Sequence, residues 1–154
     1  MAFKLRSPPF PPSGEIPIKH TCDGADLSPA LRWSAPPGSP KSFALIMDDR
    51  DAPDGIWTHW VLYGIPATVR ELPDGVPRQD VVAEVGTQGL NDFGGVGYRG
   101  PCPPRGLAHR YFFKLYALDT ALTLPPRKTK LELLKAIHGH VLARVELMGR
   151  YKRK

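Results

Sequence analysis

Short apolar runs separated by proline and glycine dominate the hydrophobic pattern of this chain. Residues 42–48 (SFALIMD) form an apolar run with a polar end, and residues 57–65 (WTHWVLYGI) are rich in aromatic and β-branched side chains. Both alternating faces of the second run are mostly apolar, with His59 on the face of Val61, which predicts a central strand covered on both sides. Residues 110–118 (RYFFKLYAL) give the strongest strand signal, because every second side chain from Tyr111 onwards is apolar.

A helix is predicted over residues 129–139. Thr129 and Glu132 have the spacing of a capping box, and Gly139 suits the residue that follows a helix end. The apolar residues at helical spacing are Leu131, Leu134 and Ile137.

Two further segments, one before and one after residues 110–118, predict additional strands. Residues 80–86 (DVVAEVG) give a weaker strand pattern. Residues 141–151 alternate with period two, which predicts a last strand, although the same residue types also favour a helix. The pattern as a whole predicts a mainly antiparallel β fold with one short helix near the C-terminus, in a single domain over residues 1–154.

Composition and charge narrow the function classes. The chain has 18 prolines and 15 glycines but is 42% hydrophobic, so it has enough apolar residues to build a core. The net charge of +6 comes from residues 125–154, where nine Lys/Arg and two Glu give +7. No nucleic-acid motif accompanies this charge, so we interpret it as a solvated surface and expect no nucleic-acid partner.

Membrane and export signals are missing from the pattern. No apolar run reaches the roughly 20 residues that a membrane-spanning helix requires, so we expect no membrane span. Lys4, Arg6 and several prolines interrupt the N-terminal segment before an apolar signal region could form. We therefore expect a cytoplasmic protein.

Three candidate polar side chains stand where predicted strands meet loops. Asp48 ends one apolar run, His59 lies inside the next, and His109 directly precedes the aromatic strand. Stiff, proline-rich loops around a few converging polar groups are typical of a small-ligand pocket. Taken singly, each residue also has a structural explanation: a histidine satisfied in the core, or an aspartate that caps a turn.

Two motifs in this order resemble the phosphatidylethanolamine-binding protein family. DRDAP (49–53) followed by WTH (57–59) is similar to its first signature, and GPCPPRG (100–106) followed by HRY (109–111) is similar to its second. The resemblance extends along nearly the whole chain and is closest to the prokaryotic branch called Raf-kinase-inhibitor-like. It implies a β-sandwich built around a large central antiparallel sheet.

The resemblance also implies a ligand pocket. Its binding residues would be Asp48, Trp57, His59, Pro104, His109 and Tyr111, with the 49–53 loop as part of the wall. In the family this pocket accepts phosphate, acetate, cacodylate or a phosphoethanolamine head group. We expect the same class of ligand here, with no cofactor, no metal and no catalysis.

Other functions stay open beside this one. Relatives regulate kinases or inhibit serine proteases, so inhibition through protein contact is the alternative to anion binding. A hydrolase is less favoured, because the chain lacks the usual nucleophile and metal motifs. The resemblance further implies a homodimer.

The chemistry of the candidate residues fits an anion. A protonated histidine donates from both ring nitrogens, Tyr111 can add a hydroxyl donor, and Asp48 can orient a histidine or receive an amine. The chain departs from the family pattern at three places. Arg50 replaces a proline, Arg99 replaces a glycine and Gly64 replaces an asparagine, so two cations are added near the rim.

The two cysteines leave an alternative open. Cys22 and Cys102 both lie among turn residues, the second on the expected pocket rim. Cysteines of cytosolic proteins are normally free thiols, but these two can pair completely, as intracellular cysteines of hyperthermophiles do. A bridge would close a loop of 80 residues (102 − 22), worth at most about 4–5 kcal/mol in the chain-entropy model.

Overall fold

Nine strands, one α-helix and one short 3-10 helix (Ile18–His20) make up the regular structure of residues 2–153, the part of the chain that the computed structural model describes. The strands are β1 (Leu5–Arg6), β2 (Leu31–Trp33), β3 (Ser42–Asp49), β4 (Trp57–Pro66), β5 (Glu71–Leu72), β6 (Val81–Val82), β7 (Gly86–Gln88), β8 (His109–Leu118) and β9 (Val141–Tyr151), and the helix is α1 (Lys130–Ile137).

The strands form a large and a small antiparallel sheet, which confirms the predicted fold class. The large sheet has six strands in the order β6-β7-β4-β3-β8-β9, and the small sheet has three in the order β1-β2-β5. Strand β3 lies near the middle of the large sheet and pairs with β4 on one side and β8 on the other. All eight residues of β3 are buried, which is typical of a strand covered on both faces.

Each face of the large sheet is covered by a different layer. On one face Phe43, Leu45 and Met47 pack with Leu31 and Trp33 of the small sheet. On the opposite face, the remaining β3 side chains pack with β4, β8 and the helix; this cluster contains Ala44, Ile46, Val61, Tyr63, Tyr116, Leu118, Leu133 and Ile137. We call these two sides the sandwich face and the helix face.

The helix confirms its predicted capping box, and Ile137 and Leu134 of its predicted apolar positions pack against the sheet, but Leu131 does not. Thr129 accepts from the backbone N–H of Glu132, and the Glu132 side chain accepts from the backbone N–H of Thr129. Leu131 is 62% exposed, whereas Leu133 is fully buried. The helix is rotated because Lys130, Leu133 and Ile137, at positions i, i+3 and i+7, form the face that meets the sheet.

The weaker strand predicted over 80–86 is wrong as a continuous strand. The chain forms a tight hairpin there, in which β6 and β7 pair as Val81–Thr87 and Val82–Gly86. Glu84 in the turn has a φ of 66°, a left-handed conformation of the kind that tight turns use to reverse the chain. The last strand, β9, runs over Val141–Tyr151 as predicted.

The small sheet was not predicted. Its strands have only two or three residues each, too few to show a period of two.

Within residues 2–153, no helix has the length and apolar character needed to cross a bilayer.

Candidate functional site

A cavity of about 230 Å³ opens where β3, β4 and β8 meet their loops. This volume lies below the range of about 300–1000 Å³ usual for drug-sized ligands, so it suits a small group. Its lining residues come from both motifs and from the loop between them: Asp49, Ala52, Pro53, Asp54, Trp57, His59, Phe93, Cys102, Pro103, Pro104 and His109.

A β-bulge turns His59 toward this cavity. Met47 pairs with Trp60 and Asp48 pairs with Thr58, so His59 is one extra residue on β4 between two consecutive pairs. The bulge puts His59 on the sandwich face, in contact with Tyr111, and leaves Thr58 on the helix face. The predicted placement of His59 on the face of Val61 is therefore wrong, because simple alternation does not anticipate a bulge.

His59 is held in one orientation. Its Nδ1 lies 2.6 Å from the carbonyl oxygen of Arg99, to which it donates. The ring packs edge-on against Phe93 and Tyr111, with centroid distances of 5.2 and 5.3 Å. Burial of the ring lowers the pKa of His59 below 6.5, so the protonated histidine expected at this position is disfavoured at neutral pH.

His109 is oriented by a carboxylate. Its Nδ1 donates to Asp49 Oδ2 over 2.7 Å, and both side chains are buried. In both His59 and His109, Nδ1 is bonded to an acceptor, so Nε2 is the nitrogen left for a ligand. The cavity therefore contains two Nε2 atoms whose rings are fixed from behind.

Asp48 does not reach the cavity, which corrects its predicted role. It is fully buried on the helix face, where Oδ2 lies 3.0 Å from Lys114 Nζ and 2.8 Å from Lys130 Nζ. Its Oδ1 accepts from the Thr58 hydroxyl over 2.9 Å. Alternation along β3 points neighbouring side chains to opposite faces, so Asp49 is the carboxylate that β3 directs to the cavity.

Tyr111 lies behind the imidazoles. Its ring is stacked near His109 and edge-on to His59, and it is not among the lining residues described for the cavity. Burial, together with the nearby Asp49 carboxylate, raises the pKa of Tyr111 far above its ordinary value. Its buried hydroxyl has no hydrogen-bond partner within residues 2–153. The ring itself packs against both histidines and supports them.

The 49–53 loop is tied to the start of β8 by successive pairs. Asp51 receives two guanidinium hydrogen bonds from Arg110, of 3.0 and 2.9 Å, and a third from its backbone N–H. The Arg110 hydrogen bonds lower the pKa of Asp51 to about 2. Asp49 Oδ1 also accepts from the backbone N–H of Asp51, so the same loop holds both aspartates in place.

The second motif is anchored by the N-terminal segment. Cys22 and Cys102 form a disulfide with a Cα–Cα distance of 5.4 Å, the paired alternative considered from the sequence. The backbone N–H of Gly100 donates to Asp26 Oδ1 over 2.8 Å. A Cβ atom at Gly100 would collide with the carbonyl oxygen of His20, so only glycine allows this close approach.

The walls combine predicted and unpredicted residues. Trp57 and Pro104 line the cavity, where the resemblance places them. Phe93 and Asp54 were missed as individual residues, although Phe93 lies in a segment, 91–104, that resembles the prokaryotic branch. The loop that carries Phe93 is fixed because Thr58 and Asp92 exchange hydrogen bonds of 2.7 and 2.8 Å.

The three departures from the family pattern lie outside the cavity. Arg50 stacks over Phe112 at 3.9 Å and reaches Glu146, so it pairs with neither Asp49 nor Asp51. The guanidinium of Arg99 pairs with Asp26 at 3.4 Å. Gly64 has a φ of 63° at a second bulge of β4, a conformation that glycine and asparagine tolerate best.

The electrostatics of the lining are acidic. Asp49 and Asp54 are the carboxylates, and none of the described lining residues is lysine or arginine. Residues 2–153 hold no group of three or more His, Cys, Asp or Glu side chains arranged to bind a metal. A wider cleft of about 550 Å³, lined in part by Glu15 and Arg150, lacks the converging imidazoles.

A family model and several known proteins match this chain over most of its length. A family model described as phosphatidylethanolamine-binding protein matches residues 6–152. A UPF0098 protein of Methanothermobacter thermautotrophicus is 50% identical over 151 residues, which cover 98% of this chain and 99% of that protein. A UPF0098 protein of Pyrococcus horikoshii is 49% identical over 142 residues, covering 90% of this chain and 71% of the relative.

Two solved structures share the whole architecture. A phosphatidylethanolamine-binding protein homologue from Chlamydia trachomatis superposes with a TM-score of 0.91 at 40% identity, covering 99% of each chain. E. coli YbcL, described as a new member of the mammalian family of these proteins, gives a TM-score of 0.90 at 33% identity over the full length of both chains.

Proposed function

Because this chain belongs to the phosphatidylethanolamine-binding protein family, we propose that it binds a small anion of the phosphate type, such as a phospholipid head group, in the cavity between His59 and His109. The observation that carries the proposal is the pair of Nε2 atoms that two fixed imidazoles leave free at the cavity. Fixed groups of this kind bind without the cost of ordering mobile side chains.

His109 is the group best placed to meet a negative charge. When Nε2 carries a proton it donates to a ligand oxygen, while Nδ1 keeps its hydrogen bond to Asp49. Asp49 then balances the imidazolium, so the buried positive charge is not isolated. Trp57, Phe93 and Pro104 supply apolar walls that exclude water around this contact.

The proposal is binding without turnover. A carboxylate–histidine pair such as Asp49–His109 could serve as a general base, so a hydrolase is the natural competitor. The described lining offers no serine, threonine or lysine as a nucleophile beside this pair. A panel of phosphatase and esterase substrates tests this part, and turnover that disappears in His109→Ala would overturn it.

Calorimetric titration with phosphoethanolamine and inorganic phosphate tests the binding proposal. We expect wild-type protein to bind and His109→Ala to lose at least roughly tenfold in affinity, since one charge-assisted hydrogen bond disappears. His140→Ala is a matched control, because His140 also pairs with a carboxylate, Asp119, but lies exposed just before β9, at the opposite end of β8 from His109. Equal affinity in wild type and His109→Ala would contradict the proposal.

Inhibition of a protein kinase or serine protease is the second candidate. It is favoured by an apolar rim beside the cavity, where Ile56, Trp57 and Phe93 are 55%, 37% and 41% exposed. Exposed apolar groups clustered at a pocket mouth are typical of contact surfaces. Assays with purified proteases and kinases, comparing wild type, Ile56→Ser and His109→Ala, distinguish contact at the rim from occupancy of the cavity.

We also propose a homodimer. Leu107, in the loop before β8, is 85% exposed, and an apolar side chain this exposed is suited to a subunit contact. Light scattering should give twice the chain mass of 17.0 kDa, and Leu107→Ser should shift the population toward the single chain. A 17.0 kDa species alone at micromolar concentrations would contradict the dimer.

A further inference from the structure

His59 and His109 donate from Nδ1 to partners of different charge: His59 to the neutral carbonyl of Arg99 and His109 to the carboxylate of Asp49. We propose that the group bound there is a protonated oxyanion, which carries a hydroxyl donor as well as a negative charge, such as the monoanion of a phosphate monoester. This inference rests on the proposed function and specifies the chemical form of its ligand. Its basis is the hydrogen-bond geometry of the two rings and the charge of the lining.

His59 can offer only an acceptor while it is neutral. A backbone carbonyl accepts hydrogen bonds and cannot donate, so the 2.6 Å contact with the oxygen of Arg99 places the proton on Nδ1. Nε2 then carries a lone pair. The ring cannot turn over to exchange its nitrogens without breaking this bond and its packing against Phe93 and Tyr111.

The groups around His59 do not restore its charge. The carboxylates of Asp49, Asp48 and Asp26 and the carbonyl of Arg99 favour the imidazolium, but burial of the ring outweighs them and lowers the pKa. Phe93 and Tyr111, which pack edge-on against the ring, are uncharged. A ligand that meets Nε2 of His59 therefore has to bring its own hydrogen.

His109 supplies the complementary contact. Its Nδ1 donates to the Asp49 carboxylate rather than to a neutral carbonyl, and this negative charge balances an imidazolium whose Nε2 donates to an unprotonated ligand oxygen. A fully deprotonated anion would satisfy His109 but place an oxygen lone pair against the lone pair of His59. An anion with one hydroxyl satisfies both rings at once.

The charge of the lining also favours a protonated anion. Asp49 and Asp54 are negative, and lysine and arginine are missing from the described lining. A dianion is repelled more strongly by these carboxylates than a monoanion. Protonation of the ligand thus relieves repulsion and provides the hydrogen that Nε2 of His59 accepts.

Methyl phosphate and methyl sulfate form a matched pair of probes. At pH 5.5 a phosphate monoester, whose second pKa is about 6, is mostly a monoanion with one hydroxyl. Methyl sulfate is a monoanion of similar shape without a hydroxyl. We expect methyl phosphate to bind at least roughly tenfold more tightly at pH 5.5, because the buried acceptor stays unpaired with methyl sulfate.

The pH and variant arms decide the outcome. At pH 8 methyl phosphate loses its hydroxyl, so its advantage should shrink, and His59→Phe should abolish the advantage at pH 5.5 while His140→Ala keeps it. Proton-detected nitrogen NMR of the wild type provides a readout that needs no folded variant: Nε2 of His59 should stay unprotonated when methyl phosphate binds. Equal binding of both probes, or protonation of Nε2, overturns this inference alone, whereas failure of both probes to bind overturns the proposed function as well.

Discussion

Asp49 and His109 are joined by a 2.7 Å hydrogen bond that connects two residues 60 positions apart. The residue before Asp49 points the other way, and its carboxylate lies between the ammonium groups of Lys114 and Lys130. Two adjacent aspartates therefore serve different faces of the same strand. One orients a cavity histidine, and the other holds the helix against the sheet.

Asn substitutions at these two positions should affect different properties, ligand affinity in one case and stability in the other. Asp49→Asn removes the charge behind His109, so phosphate affinity should fall roughly tenfold with little change in stability. Asp48→Asn leaves two largely buried ammonium groups without a counter-charge and should cost about 3–5 kcal/mol of unfolding free energy. Denaturant unfolding and calorimetry on both variants measure the two effects.

Asp80→Asn is the control for this pair of variants. Asp80 forms an ion pair with Arg127 in which both side chains are substantially exposed, so its loss should cost less than about 1 kcal/mol. A stable Asp48→Asn variant, or an Asp49→Asn variant with wild-type affinity, would show that the two faces are assigned wrongly.

The stability of the protein should fall on mild acidification. Burial holds the pKa of both His20 and His59 below the ordinary value of 6.5. As pH falls through about 6.5, the unfolded chain takes up protons that the folded chain refuses, so this stabilisation is present above 6.5 and is lost toward the lower folded pKa. Chemical unfolding at pH 7.5, 6.5 and 5.5 measures the slope.

Variants assign that slope to the two histidines. His20→Asn and His59→Asn should each flatten the pH dependence, whereas His140→Gln should leave it unchanged. Asp51, whose pKa is about 2, keeps its charge throughout this range and does not contribute. An unchanged slope in both buried variants would contradict the assignment.

The orientation of α1 gives a direct stability test. Leu133→Ala should cost about 2–5 kcal/mol, because a fully buried side chain leaves a cavity between the helix and the sheet. Leu131→Ala, two residues earlier on the exposed side, should change stability by less than about 0.5 kcal/mol. Equal losses in the two variants would argue against the observed rotation.

Removal of the disulfide should destabilise the fold without abolishing it. The bridge spans 80 residues, for which the chain-entropy model gives at most about 4–5 kcal/mol. The double variant Cys22→Ser/Cys102→Ser should therefore lower Tm by roughly 10 °C or more. Wild-type protein measured with reductant is the parallel control, and an unchanged Tm in the double variant would refute the effect.

The sequence predicted long elements well and local irregularities poorly. β8 and β9 follow a regular alternation over many residues, so their positions could be predicted within a residue or two. The strands of the small sheet have two or three residues each and leave no pattern to detect. Leu131 has the helical spacing of a buried residue but is exposed, because spacing alone does not show that Lys130 faces the sheet and pairs with Asp48.

The cavity likewise combines residues that the sequence predicted with an orientation that it did not predict. The histidines, Trp57 and Pro104 could be predicted because they lie within extended motifs, whereas Phe93 and Asp54 could not. The face of His59 was missed because one extra residue on β4 reverses the alternation. The choice of Asp48 over Asp49 was a separate error, since regular alternation along β3 places Asp49 with Met47 on the sandwich face.

The bridge between Cys22 and Cys102 closes residues 22–102 into a covalent ring and leaves the segments before and after it as two tails. The exposed turn at Asp54 lies inside this ring, whereas the exposed loop at Arg105 lies outside it. Cleavage before Asp54 would leave both fragments on one molecule until reductant is added. Cleavage after Arg105 would release the last two strands of the large sheet, so limited proteolysis followed by non-reducing electrophoresis maps which backbone segments the bridge protects from loss.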